Sequence, residues 1–195
     1  MPSESPSPGQ LVIISGPSGV GKSTVVAAVL DRLQPAVRLS ISATTRAPRP
    51  GEVDGQHYHF LTAEEFAARR AAGEFLECME VFGRGHWYGT LLDEVRPSLA
   101  RGQWVILEID VDGARKALEQ FPQAVTIFIT VDDQELERRL RARRTDSDED
   151  IRRRLQVARR EMAQASNYRY QVVNDEVDHT VDQIAQILAQ EGLDA

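Results

Sequence analysis

Residues Gly16-Pro17-Ser18-Gly19-Val20-Gly21-Lys22-Ser23 carry the pattern G-x-x-x-x-G-K-[ST]. Each residue type in it has a chemical reason. Glycines let backbone N–H groups curl around phosphate oxygens, and a helix opening at the end of the run adds the partial positive charge of its N-terminus. Lys22 then brings an ammonium to the β- and γ-phosphates of a nucleoside triphosphate, and Ser23 offers a hydroxyl to Mg²⁺. The chain uses 21 Arg and only 2 Lys, yet this position holds Lys, and a compact ammonium is what such a loop accommodates. Residues 16 to 23, with Thr24 behind them, are therefore expected to bind ATP with Mg²⁺ as cofactor, which is the equipment of a phosphotransferase.

The loop needs a strand before it and a helix after it, and the flanking sequence supplies both. Leu11–Ile14 is a short apolar run of the kind that buried parallel strands show, and Ser23–Leu33 has helical patterning. Further apolar runs at Val105–Leu107, Val125–Ile129 and Val172–Val173 are followed by helical segments at Asp112–Gln120, Asp133–Arg143 and Asp178–Gln190. This alternation predicts a doubly wound α/β fold with a parallel sheet. Residues 38–102 differ in composition: Pro48, Pro50, Gly51 and Gly55 signal turns, and His57-Tyr58-His59-Phe60 reads as a strand, so a small β-rich insertion is expected. Thr62 and Glu65 have capping-box spacing, and the helix they open should stop near Gly73. Pro97 falls inside a helical stretch from Thr90 to Arg101, where a bend or break is expected. His57 and His59 are expected to face solvent from their strand rather than to bind metal.

At 195 residues the chain suits one domain with inserted subdomains. Cys78 is the single cysteine, so no internal disulfide can form, and no apolar run approaches the roughly 20 residues needed to span a bilayer. A cytoplasmic protein without membrane contact is expected. Residues 1–9, rich in Ser and Pro, read as a disordered tail. The net charge of −7 argues against general nucleic-acid binding. Arg138 to Arg160 nevertheless holds ten Arg against four acids, a +6 segment within an acidic chain, which suits a local anion site or a solvated helical face.

Ser42-Ala-Thr-Thr-Arg46-Ala-Pro-Arg49-Pro-Gly-Glu-Val-Asp-Gly-Gln-His-Tyr58-His-Phe closely resembles the substrate-binding region of guanylate kinases. Phe75-Leu-Glu77, Trp87-Tyr88-Gly89-Thr90, Ile109-Asp110-Val-Asp-Gly113 and the Arg-rich run from Arg139 through Arg143 to Arg154 extend the resemblance over residues 10–190. The resemblance implies a core at 10–37, 103–137 and 160–195, a GMP-binding subdomain at 38–102 and a helical lid at 138–159. It also implies ATP and GMP as substrates, acting in a monomer or homodimer. Arg46, Arg49, Tyr58 and Tyr88 would hold the GMP phosphate, Ser42, Glu77 and Thr90 would read guanine, and Asp110 would lie near the nucleoside. Asn174 falls where the family contacts adenine, although Asn-Asp at a strand end is also a plain turn. Two departures are Thr90, where many members have Ser, and Glu108, where the first acid is often Asp; Glu108 is assigned to Mg²⁺ beside Ser23.

Phosphoryl transfer asks chiefly for alignment and for neutralisation of spreading charge, so Lys22, Arg46, Arg143 and Arg154 are the candidate catalytic residues. Taken singly, Glu77 would be an ordinary surface acid; the neighbouring blocks make it a base reader. Two other functions share the fold: a kinase for a sugar phosphate, and a non-catalytic guanylate-kinase-like module that binds phosphopeptides. A guanine-reading carboxylate argues against the first, and the intact phosphate loop argues against the second.

Overall fold

The computed structural model describes residues 9–81, 85–142 and 148–194. In chain order the first elements are β1 (Leu11–Ser15), α1 (Lys22–Leu33), β2 (Val37–Leu39), β3 (Ser42–Thr44), β4 (His59–Phe60) and α2 (Ala63–Ala71). They are followed by β5 (Phe75–Val81), β6 (His86–Leu91), α3 (Leu92–Ala100), β7 (Trp104–Glu108) and α4 (Val111–Gln120). The last are β8 (Val125–Thr130), α5 (Asp133–Ala142), α6 (Asp148–Met162), β9 (Tyr170–Val173) and α7 (Val177–Gln190). They make two compact units: one spans 38–107 and 112–124 with residues up to 11, the other 12–37, 108–111 and 125 onward.

In the second unit β1, β8 and β9 lie side by side, all parallel, with Val12 opposite Val125 and Ile129 opposite Val172. Every residue of β1 is buried and all but the last of β8, which is why both read as continuous apolar runs rather than as alternation. Helix α1 buries Val25, Val26, Val29 and Leu33, and α7 buries Val181, Ile184 and Leu188; an Arg32–Asp182 ion pair joins the two helices. Each fully buried aliphatic side chain contributes roughly 1.5–3 kcal/mol.

The first unit carries a four-stranded sheet in the order β4-β3-β6-β5. β6 runs antiparallel to both β3 and β5, and β4 runs parallel to β3. Ala43, Phe66, Phe75 and Leu91 form its small core, with the Phe66 and Phe75 rings stacked at 4.4 Å. Both bonds of the Thr62–Glu65 capping box form, and Gly73 follows the end of α2 at φ 72°.

Three expectations are corrected here. Helix α3 runs through Pro97: the ring forfeits only the bond to the carbonyl four residues back, while buried Val95 and Ser98 hold the last turn, where Arg38 Nη1 donates to Ser98 Oγ (3.0 Å). His59 is half-buried rather than turned wholly to solvent, its Nε2 2.8 Å from Glu94 Oε1, whereas His57 is exposed as expected. Gly9 is tied into the fold, its N–H donating to Leu99 O (3.0 Å), and a Cβ there would meet Gln103 O at 2.2 Å. Residues 1–8 of the expected tail lie outside the described residues, as do residues 143–147 with Arg143.

Candidate active site

The phosphate loop occupies the turn from β1 into α1 within the second unit. Gly19 and Gly21 take φ of 90° and 96°, a region that favours glycine, and a Cβ on Gly16 would lie 2.4 Å from Ile129 O. α1 has neither an acidic residue in its first turn nor a side-chain cap, so its N-terminal N–H groups stay available to an anion. Lys22 Nζ donates to Gly16 O (2.5 Å) and Pro17 O (3.3 Å), folding the ammonium over the loop. Burial pushes its pKa down, and the negative charges of Glu161, Glu108 and Asp110 push it back up. Ser23 Oγ donates to Glu108 Oε1 at 2.6 Å, which places a hydroxyl and a carboxylate together at the helix start. From α6, Arg154 Nη2 donates to Ser18 Oγ (3.2 Å) and Glu161 Oε2 accepts the Ser18 N–H (3.1 Å). Val20 lies fully buried behind the loop, and Thr24 is exposed on the first turn.

A second constellation lies in the first unit. Register puts Ser42 opposite Thr90 and Thr90 opposite Glu77, so the three residues form one row across β3, β6 and β5. Side chains in such a row emerge on one face within reach of each other. Thr90 Oγ1 donates to Glu77 Oε1 at 2.8 Å, and Glu77 is only 6% exposed. A carboxylate at that depth is not an ordinary surface acid. One step along the same strands Thr44 faces Tyr88, and just beyond β3 Arg46 Nε donates to Tyr88 Oη (3.2 Å). The Arg46 guanidinium also lies 5.4 Å from the Tyr58 ring centroid, with the Tyr58 and Tyr88 rings 5.9 Å apart. Arg49 is exposed on the turn that follows.

The model of the guanylate kinase family matches residues 8–191. The chain belongs to the guanylate kinase family. A guanylate kinase of Rhodopirellula baltica is 51% identical over 187 residues, covering 95% of this chain and 90% of that protein. One from Synechocystis is 46% identical over 184 residues, covering 94% and 95%. The crystal structure of guanylate kinase from Anaplasma phagocytophilum superposes with a TM-score of 0.77 at 32% identity, over 97% of this chain and 89% of that one. Like its family, the chain is a kinase with a P-loop α/β fold. Among the described residues no helix is long and apolar enough to cross a membrane.

The family's residues divide between the two units. Ser42, Arg46, Arg49, Tyr58, Glu77, Tyr88 and Thr90 share the first, whereas Asp110 belongs to the second, where its charge acts on Lys22. Asn174 is 3% exposed and bonded within the second unit: its N–H with Thr130 O, its C=O with Arg139 Nη2, Nδ2 with Val20 O, and Oδ1 with Thr180 Oγ1. The side chain that was expected at adenine lies against the phosphate loop.

Sequence reasoning passed over Glu52, which accepts from Arg46 through both oxygens (2.8 and 2.9 Å) and takes the Arg49 N–H (2.7 Å). These bonds hold its carboxyl down to about 2, the one with Arg46 counting most, and raise Arg46 further above its usual value. The acid three residues beyond the second arginine was a signal, because two arginines aimed at one phosphate need something to orient them. Glu161 was also passed over, and Arg139 entered only as the start of the Arg-rich run without a role of its own; nothing local singles them out among so many charges on α5 and α6.

Proposed function

We propose that the chain transfers the γ-phosphoryl group of ATP to GMP, giving ADP and GDP, with residues 16–24 as the ATP site and the row Ser42, Thr90, Glu77 as the guanine reader. The observation that carries this reading is the buried Glu77 carboxylate with the Thr90 hydroxyl bonded to it at 2.8 Å. Guanine presents two donors, N1–H and the 2-amino group, and a carboxylate is the side chain that accepts both. Adenine presents a bare acceptor at N1, so it would leave a buried charge facing a lone pair.

The GMP phosphate is itself the nucleophile. With a second pKa of about 6 it is already an anion near neutral pH, so a general base is dispensable. Arg46, Arg49, Tyr58 and Tyr88 hold and orient it through charged and phenolic donors. Lys22 and the loop N–H groups hold the ATP phosphates. Ser23 and Glu108, two hard oxygen donors 2.6 Å apart, fit Mg²⁺ and would hold it, and the ion would supply neutralisation of phosphate charge. Arg154, already at the loop through Ser18, and Arg143, outside the described residues, are the lid arginines that neutralise the transferring group. Residues 38–102 serve as the GMP-binding subdomain and 138–159 as the lid.

A sugar-phosphate kinase would have no use for Glu77 at that depth. Glu77→Gln replaces one acceptor oxygen with a donor, and kcat/KM for GMP is expected to fall at least about tenfold, the loss of roughly 1.4 kcal/mol that a charged hydrogen bond represents. An unchanged value in the folded variant would remove Glu77 from the site.

A further inference from the structure

We infer that Asn174, with Arg139, is a positioning residue for the phosphate loop, acting by fixing the orientation of the Val20–Gly21 peptide. The inference rests on the ATP-binding role of that loop. Asn174 Nδ2 donates to Val20 O at 2.7 Å and Arg139 Nη1 donates to the same oxygen at 2.9 Å, so both lone pairs of that carbonyl are taken. In a trans peptide the C=O and the following N–H point in opposite directions. With the carbonyl pinned against Asn174 and Arg139, the Gly21 N–H is turned to the other side, away from those two donors and free of their competition for an anion.

An unpinned peptide could rotate and put an oxygen where the anion needs a donor. That exchange turns attraction into repulsion at the first N–H of the helix end, where the dipole of α1 is concentrated.

A separate observation agrees. Gly21 sits at φ 96°, and a Cβ on it would come within 2.8 Å of Asn174 Nδ2. The glycine is required both by the backbone conformation and by the close approach of the amide. The amide is in turn oriented from behind. Thr180 is fully buried on α7, and its Oγ1 lies 3.1 Å from Asn174 Oδ1, within reach of its single hydrogen, which Glu176 O (2.8 Å) and Val173 O (3.3 Å) also compete for; an O–H turned to Oδ1 keeps Nδ2 toward the loop. The Asn174 N–H on Thr130 O (2.8 Å) anchors the residue to the end of β8. Arg139 in turn spans both partners through Val20 O and Asn174 O (3.0 Å), and Glu135 Oε1 holds its Nε at 2.7 Å.

The test separates a loop brace from an adenine contact by using a ligand with no base. Titration calorimetry would measure MgATP and magnesium tripolyphosphate binding to wild type and to Asn174→Ala, alongside the KM for GMP. A brace predicts that both affinities fall by a similar factor, about tenfold, with the GMP KM within about twofold of wild type. Thr180→Val, which keeps the volume and leaves Asn174 in place, should repeat the pattern more weakly and covers the case in which Asn174→Ala does not fold. Loss of ATP affinity with tripolyphosphate unchanged would make Asn174 a base contact, and two unchanged affinities would leave it with no role; either result overturns the inference. Wild-type protein that binds neither ligand would instead overturn the loop assignment beneath it.

Discussion

Arg46 has five N–H donors and spends four of them inside the protein: Nε on Tyr88 Oη, both Nη1 hydrogens on Ala47 O and Glu52, and one from Nη2 on Glu52. One donor remains for a phosphate oxygen, so much of what this residue does is to hold Tyr88 and the turn in register. Glu52 is the group that fixes the fork, with side chains only 12% and 17% exposed for the pair. Glu52→Gln is expected to raise the KM for GMP several-fold while kcat changes less, because the clamp acts on ground-state binding; steady-state kinetics at saturating ATP would read it, and a kcat loss at constant KM would contradict it. Lys22→Ala should behave in the opposite sense, with kcat falling by orders of magnitude and the melting temperature nearly kept, since among the described residues the ammonium donates to the loop's own carbonyls. At this scale the sequence was legible where a motif repeats a fixed geometry, as in Gly16 to Ser23. It was not legible for Glu52 or Asn174, whose partners are chosen by the turn and by a strand end 154 positions from Val20.

Elements were easiest to read where both faces are buried. β1 and β8 announce themselves as Leu11-Val-Ile-Ile and Val125-Thr-Ile-Phe-Ile, and their bounds shift by a residue at most. β3, β5 and β6 were harder. They carry the polar residues Ser42, Glu77, Tyr88 and Thr90, and so lack the apolar alternation that marks a half-buried strand. α3 shows a different limit: Pro97 argued for a break, but Glu94 on the same helix binds Arg38 (2.6 Å) and His59 (2.8 Å) and holds it in place. This network ties β2, β4 and α3 together next to Tyr58. Glu94→Ala leaves a guanidinium and an imidazole without their shared acceptor, and is expected to cost about 2 kcal/mol in urea unfolding. A change below about 0.5 kcal/mol would mean that the network is mere surface pairing.

At the scale of the whole molecule, two carboxylates of the described residues, one in each unit, contribute to the expected acid response. Bonds to Arg46 and to Arg138 and Arg139 hold Glu52 and Glu135 at about 2, against 4.5 for an unperturbed Glu. Their folded values lie below the unfolded one, so the stability they contribute is complete above pH 4.5 and drains away as the pH falls toward 2. The urea midpoint should therefore drop between pH 4.5 and 2, and less steeply in a Glu52→Gln, Glu135→Gln double variant; equal slopes would deny both carboxylates a role. The αβ alternation was visible from the sequence because each strand–helix pair is contiguous. The resemblance had already set Glu77 in the 38–102 insertion and Asp110 in the core; what the sequence did not show is that 103–107 and 112–124 group with the insertion, leaving only 108–111 between them with the loop. The proposed function turns on the choice of acceptor. The most direct measurement is ADP formation from ATP with GMP, AMP, CMP and UMP in turn. The account predicts kcat/KM for GMP above that for AMP by about 10⁴, the scale on which a site built for hydrogen bonds rejects a base that cannot make them. Comparable rates with AMP and GMP would contradict it.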